Sequence, residues 1–149
     1  MASSSLIGAI VARWDQSIPD TLASGGLWPC QIPDDKTSLP FAVLWHEGEV
    51  PEWTTQDAYT EDGQVRFEVY SATLADAESI AARIKDTFDF PGNAGPYFSF
   101  SDGSQMISMT RVNYLVSLSE YRTAQAKVVY QVDLLYKTQL RRTLTTALQ

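Results

Sequence analysis

The feature that most narrows what this chain can become is the alternation in Val65-Arg66-Phe67-Glu68-Val69-Tyr70. A strand turns successive side chains to opposite sides, so Val65, Phe67 and Val69 share one face and Arg66, Glu68 and Tyr70 the other. A strand of this kind needs cover on its apolar face. The covering element follows directly. Thr73 and Asp76 stand at a variant of the capping-box spacing, and Leu74, Ala77, Ala81, Ile84 and Phe88 recur at steps of three and four with Ile80 beside them. The spacing predicts an amphipathic helix lying on the sheet and stopped at Pro91-Gly92.

Two further runs alternate later in the chain. Val112, Tyr114, Val116 and Leu118 share a face, as do Val128, Tyr130, Val132, Leu134 and Tyr136, with Glu120 to Gln125 as the connection. A late antiparallel hairpin is the natural arrangement. Upstream, Leu6, Ile7, Ile10, Val11 and Trp14 form one helical stripe behind serines suited to N-caps. Pro19-Asp20 ends or restarts that helix, with a short turn allowed near Asp20 to Ala23. Gly25-Gly26, Trp28-Pro29 and Pro33-Asp34-Asp35 read as a flexible connection with little regular structure. Pro40-Phe41-Ala42-Val43-Leu44-Trp45 is a buried strand by its compact apolar run.

From Glu47 to Asp62 the chain carries six acidic residues, no Lys or Arg, and Pro51, a pattern expected of an exposed loop. Ala58 to Thr60 is expected to begin a strand that turns at Glu61-Asp62-Gly63-Gln64, because Asp and Gly tolerate positive φ. Asp102-Gly103 is a second such turn after Tyr97-Phe98-Ser99-Phe100. The tail from Thr138 to Gln149 repeats Leu140, Leu144 and Leu148 and is expected as a short helix or an arm that orders against a neighbour. The whole is one α+β domain over residues 1–149: a mixed, mainly antiparallel sheet with one or two helices packed on it.

Composition supports a buried core and excludes several classes of function. At 149 residues, 44% hydrophobic and with four Trp, seven Tyr and six Phe, the chain can bury a core without staples. Eleven basic residues against a net charge of −7 argue against duplex binding, which is built from Lys and Arg neutralising phosphates. A single cysteine, Cys30, excludes an intrachain disulfide and fits a reducing compartment. No stretch approaches the roughly 20 apolar residues that span a bilayer, so no membrane partner is expected.

No arrangement carries catalysis. Cys30 in Trp-Pro-Cys-Gln and His46, the one histidine, lack the context of a nucleophile and its base, and read as a packed thiol and a surface imidazole. One Cys and one His leave no zinc set. The acids from Glu47 to Asp62 lack the alternate-oxygen spacing of a calcium loop, and no pair is singled out for sugar chemistry. Gly25-Gly26 has no phosphate-loop partner downstream. Tyr97, Phe98 and Phe100 lack the neighbouring cations of a single-strand platform. No cofactor or metal is expected.

Leu39-Pro40-Phe41-Ala42-Val43, then the acidic stretch, then Val65 to Tyr70, then Ala75-Asp76-Ala77-Glu78-Ser79-Ile80-Ala81-Ala82-Arg83-Ile84 resembles the tail-terminator and tail-completion, or head-tail joining, proteins of long-tailed bacteriophages. The layout of those families, a leading helix and a closing hairpin, is similar over most of residues 5–137. The resemblance implies a virion subunit, assembled in the host cytoplasm, that forms a homo-oligomeric ring, usually a hexamer, on the last ring of the tail tube. That ring halts tube growth and offers a surface to the head-completion or connector protein, while DNA passes through the lumen without sequence-specific binding. No catalytic residue carries over. Docking is then expected at Glu47, Glu49, Glu52, Asp57, Glu61 and Asp62, at Asp102-Gly103, and at Leu140, Arg141, Arg142 and Leu144. Another neck component and a cytosolic ligand-binding domain are the alternatives, the latter motivated by the aromatic content.

Overall fold

The computed structural model describes residues 6–15, 19, 22–33, 38–53, 58–89, 98–99, 106–119 and 128–143. Helix α1 spans Leu6–Asp15, followed by strands β1 (Leu27–Pro29), β2 (Phe41–Trp53) and β3 (Ala58–Ser71). Helix α2 (Leu74–Phe88) precedes β4 (Phe98–Ser99), β5 (Met106–Leu118) and β6 (Tyr130–Thr143). Among the described residues the six strands form one sheet in the order β1-β2-β3-β6-β5-β4. Only β1 and β2 are parallel; every other pair is antiparallel. The α+β reading and the late hairpin of β5 and β6 therefore hold.

Strand β3 and helix α2 form the centre of the molecule. Val65, Phe67 and Val69 are fully buried, and α2 covers them with Ala77, Ile80, Ala81, Ile84 and Phe88. Leu74, expected on the same stripe, is 37% exposed. Thr73 caps α2, its hydroxyl accepting the Asp76 N–H at 3.3 Å, and the helix ends where Asp89 turns extended. Pro91-Gly92 lies outside the described residues. Helix α1 adds Leu6, Ala9, Ile10 and Trp14 to this core. Its Arg13 Nε donates to the Thr87 carbonyl at 2.9 Å and the guanidinium sits over the Phe88 ring, joining the two helices. Burial lowers the pKa of that guanidinium.

At the far end of α2, Asp89 accepts from the buried Tyr136 hydroxyl and pairs with Arg111 Nε at 3.2 Å, fastening the helix to β5 and β6. Burial first, and then the Asp89 carboxylate, push the Tyr136 phenol well above its ordinary range. A smaller cluster of Phe41, Val43, Tyr70 and Val129 packs on the opposite face of the sheet, with Trp28, Leu39 and Trp45 against it.

Three expectations are corrected. First, no turn occurs at Glu61-Asp62-Gly63-Gln64: β3 runs through it and pairs with β2 as far as Trp53↔Tyr59. Gly63 sits between Glu49 and Thr138, with strands on both sides, and lacks the positive φ a hairpin turn needs. Second, Glu47 to Trp53 is not a loop but the second half of β2, with a bulge between Glu47 and Glu49. Third, Thr138 to Thr143 is neither arm nor helix but the end of β6, paired to β3 on one side and, as far as Arg141, to β5 on the other.

The Gly25-Gly26 connection is pinned. Gly25 N–H donates to the Pro40 carbonyl at 2.8 Å, and Ala42 N–H to the Gly26 carbonyl at 2.9 Å. A Cβ on Gly25 would lie 1.9 Å from the Ser38 carbonyl oxygen, so glycine is required there. Of the short turn expected near Asp20 to Ala23, Asp20 and Thr21 lie outside the described residues; Ala23 N–H donates to the Pro19 carbonyl at 2.9 Å.

Thr138 is 1% exposed and, among the described residues, its hydroxyl has no hydrogen-bond partner, which leaves its burial uncompensated. Thr138→Val keeps the shape and removes that hydroxyl, and is expected to stabilise the fold by ~1 kcal/mol. Thermal unfolding checks this; an unchanged or lower midpoint contradicts it.

Candidate functional site

The residues expected to dock do not lie on separate loops. On β2, Glu47, Glu49 and Glu52 stand opposite Gln64, Gly63 and Thr60, while Glu61 and Asp62 of β3 stand between Pro51 and Val50 on β2 and Leu140 and Gln139 on β6. Thr60 stands between Glu52 and Arg141, and Tyr59 between Trp53 and Arg142. The sheet thus gathers five of the predicted acids and both arginines at one end of three adjacent strands. Asp57, Asp102, Gly103 and Leu144 lie outside the described residues. Each of the gathered positions has a backbone partner on a neighbouring strand.

A polar network, not singled out from sequence, occupies the sheet face opposite the helices. Glu68 is only 8% exposed and stands directly across from Asp133. Its carboxylate accepts from the Trp45 indole N–H, from the Tyr70 hydroxyl at 3.2 Å and from Gln131 Nε2 at 3.4 Å, and Arg66 Nε lies 3.3 Å away. Gln131 Nε2 also donates to Asp133 at 2.8 Å. The alternation of Arg66, Glu68 and Tyr70 is the signal that leads here, although their partners on β6 cannot be read from it. Burial, and then the nearby Glu68 carboxylate, push the Tyr70 phenol upward.

Asp133 is raised above the ordinary carboxylate range, first by burial and then by the Glu68 charge, against the hydrogen bond from Gln131. The native state therefore holds the Asp133 proton more tightly than the unfolded chain. Stability falls as pH rises from the unfolded value, near 3.9, through the raised folded value. Asp133→Asn is expected to remove this contribution and to gain stability relative to the native chain more at pH 7 than at pH 3. Unfolding midpoints at both pH values measure it, and an equal offset at the two contradicts the assignment.

The outer side of the hairpin exposes apolar surface. β4 pairs only with Met106 and Ile107, so among the described residues β5 from Ser108 to Leu118 has no strand partner on its outer edge. Along it Val112 and Leu115 are each 53% exposed, Val116 40% and Leu118 66%. The alternating pattern predicted a shared face for Tyr114, Val116 and Leu118, and the register provides it, opposite Leu134, Val132 and Tyr130. Val112 does not share it regularly, because a bulge falls between Arg111 and Asn113. Burial is confined to the β6 side. Periodicity reports which side chains share a face and not how far a covering helix reaches.

Candidate chemistry remains dispersed. Cys30 is exposed and not packed as expected, at the end of β1, with a left-handed φ of 57° and its N–H on the Leu44 carbonyl. His46 lies on β2 opposite Val65, partly buried instead of on the surface. Among the described residues no three His, Cys, Asp or Glu side chains come together as a metal site, and no helix is long and apolar enough to cross a membrane. A shallow depression lined by Leu22, Pro40, Asp76, Ser79 and Ile80 lies beside the start of β2.

The sequence matches no family model and no curated protein. The fold is shared with a solved chain of the "Virion of native gene transfer agent (GTA) particle", with a TM-score of 0.65 at 15% identity. That likeness covers 93% of this chain and 99% of the other, so it extends over nearly the full length of both and not one motif.

Proposed function

We propose that this chain is a structural virion protein of phage type, a tail-terminator subunit that assembles into a homo-oligomeric ring on the end of the tail tube. The observation that carries the reading is the fold shared over nearly its full length with a chain of a gene transfer agent virion. The ring stops tube growth and presents its other side to the head-completion or connector protein. The subunit works by assembly and not by catalysis, in keeping with its dispersed Cys30 and His46. DNA passes through the lumen without sequence-specific contacts, as suits a chain of net charge −7.

The end of the sheet that carries Glu47, Glu49, Glu52, Glu61, Asp62, Leu140, Arg141 and Arg142 is the surface proposed to meet a tube or head partner. Mixed charge at fixed strand positions suits recognition, since complementary potentials set register and reject wrong partners. Co-sedimentation with purified tail tubes tests the reading. The protein is expected in the tube pellet at a low fixed ratio per tube, as befits an end-binding component. Binding to the isolated connector and not to tubes would favour another neck component, and binding to neither would overturn the proposal.

A further inference from the structure

We propose that the subunits join head to tail, with the outer edge of β5 on one copy packing against the β1 flank of the next. This rests on the ring reading above and identifies the two surfaces that close the ring. The first surface is the open edge of β5. Leu115 stands opposite Asp133, on the face of the polar network, whereas Val116 stands opposite Val132, on the face of the helices. Exposed apolar side chains therefore wrap around the edge, which suits a contact made edge-on and not through either face. Val128, 48% exposed, adjoins them at the start of the β6 side.

The second surface lies at the other side of the sheet. Leu22 and Ile32 are 39% and 43% exposed, and Leu22 lines the depression with Pro40, Asp76, Ser79 and Ile80. Four strand spacings separate β1 from β5, roughly 20 Å at 4.7–4.9 Å per strand.

Charge selects a second copy as the occupant. Each subunit carries −7, so two copies repel unless the touching segments are neutral. Residues 22–33 contain no charged side chain, and neither do residues 112–119. The exposed apolar side chains at both edges thus fall in segments that bring no like charge of their own to the contact, with Asp76 the one acid lining the depression. Because the patches differ and lie at opposite edges, a two-fold dimer would cover only one of them, whereas head-to-tail contact covers both and closes into a ring. The contact is one of side chains and not a continuous ladder. Pro29 brings no N–H to the outer edge of β1, and the bulge at Val112 interrupts that of β5.

The exposed native Cys30, beside Ile32, provides the probe. Val116→Cys in the otherwise native chain, treated with a short bis-maleimide under conditions of assembly, is expected to give a ladder of dimers, trimers and higher species on a denaturing gel. The native chain, and Val116→Cys combined with Cys30→Ser, are each expected to give nothing beyond dimer. If far-UV circular dichroism shows Val116→Cys misfolded, Leu118→Cys replaces it. Rings seen by microscopy without a ladder from a folded variant overturn this contact and leave the ring reading standing. Equal dimer yields from the single and double variants point to a two-fold β5 contact and also overturn it. A protein that stays monomeric by light scattering, alone and with tail tubes, overturns both.

Discussion

Phe67→Ala is expected to destabilise the subunit by about 3–5 kcal/mol, the range for removing a large aromatic from a packed core. Phe67 is fully buried and touches all the layers that make the fold. Its ring stacks 6.0 Å from Trp14 of α1, lies 5.0 Å from Phe88 of α2 and meets Tyr136 of β6 edge-on at 5.9 Å. Removing it opens a cavity where both helices meet the sheet. A domain of this size has a margin of about 5–15 kcal/mol, so the variant is left near the threshold of folding. Urea unfolding measures it as a lower midpoint at similar slope. A loss under about 1 kcal/mol would mean that the helices do not depend on this contact.

Leu118→Glu has the second large effect, on assembly and not on folding. At 66% exposed, Leu118 contributes little to the subunit core, and its replacement is expected to change subunit stability by no more than about 0.5 kcal/mol. In the proposed ring the same position faces the next copy. Burying a leucine contributes about 1.5–3 kcal/mol, and a carboxylate placed there adds a desolvation cost. Weakening of each contact by about 100-fold or more follows, since 1.4 kcal/mol is a factor of ten. Light scattering on Leu118→Glu should report monomers at concentrations where the native chain assembles. Assembly at native strength would remove β5 from the interface.

Most of the central fold is legible in the sequence because its signals are local. Val65 to Tyr70 alternates over a full strand, and Thr73 caps the helix that covers it. The ends of the long strands are not legible, and the reason is physical. Between Glu47 and Asp62, Pro51, the acids and the Asp62-Gly63 pair all favour loop or turn taken residue by residue. What holds Ala58 to Gly63 extended is pairing to β6, from Thr143 to Thr138 and so 85 to 75 positions away, and β3 in turn holds the end of β2; no local pattern encodes this. The leucine spacing of the tail fits a helix, but four is also a multiple of two, so Leu140 and Leu144 match a strand face equally well. β1 is three residues long and gains its identity from parallel pairing with β2, a partner 15 positions on.

The candidate surface was partly legible for the same reasons. The acids and the terminal arginines were identified by charge alone and assigned to separate docking segments; the register brings them to one end of the sheet. The open edge of β5 was missed, because an alternating strand reads the same whether or not a neighbour covers it. Among the described residues, only the short pairing of β4 with Met106 and Ile107 shows that the rest of this edge has no strand partner.

Negative-stain electron microscopy of the purified chain, alone and mixed with purified tail tubes, tests the central claim most directly. Closed rings with a central opening, seated at one end of the tubes, are the predicted result. Uniform particles the size of a 16.6 kDa monomer, together with bare tube ends in the mixture, would contradict it.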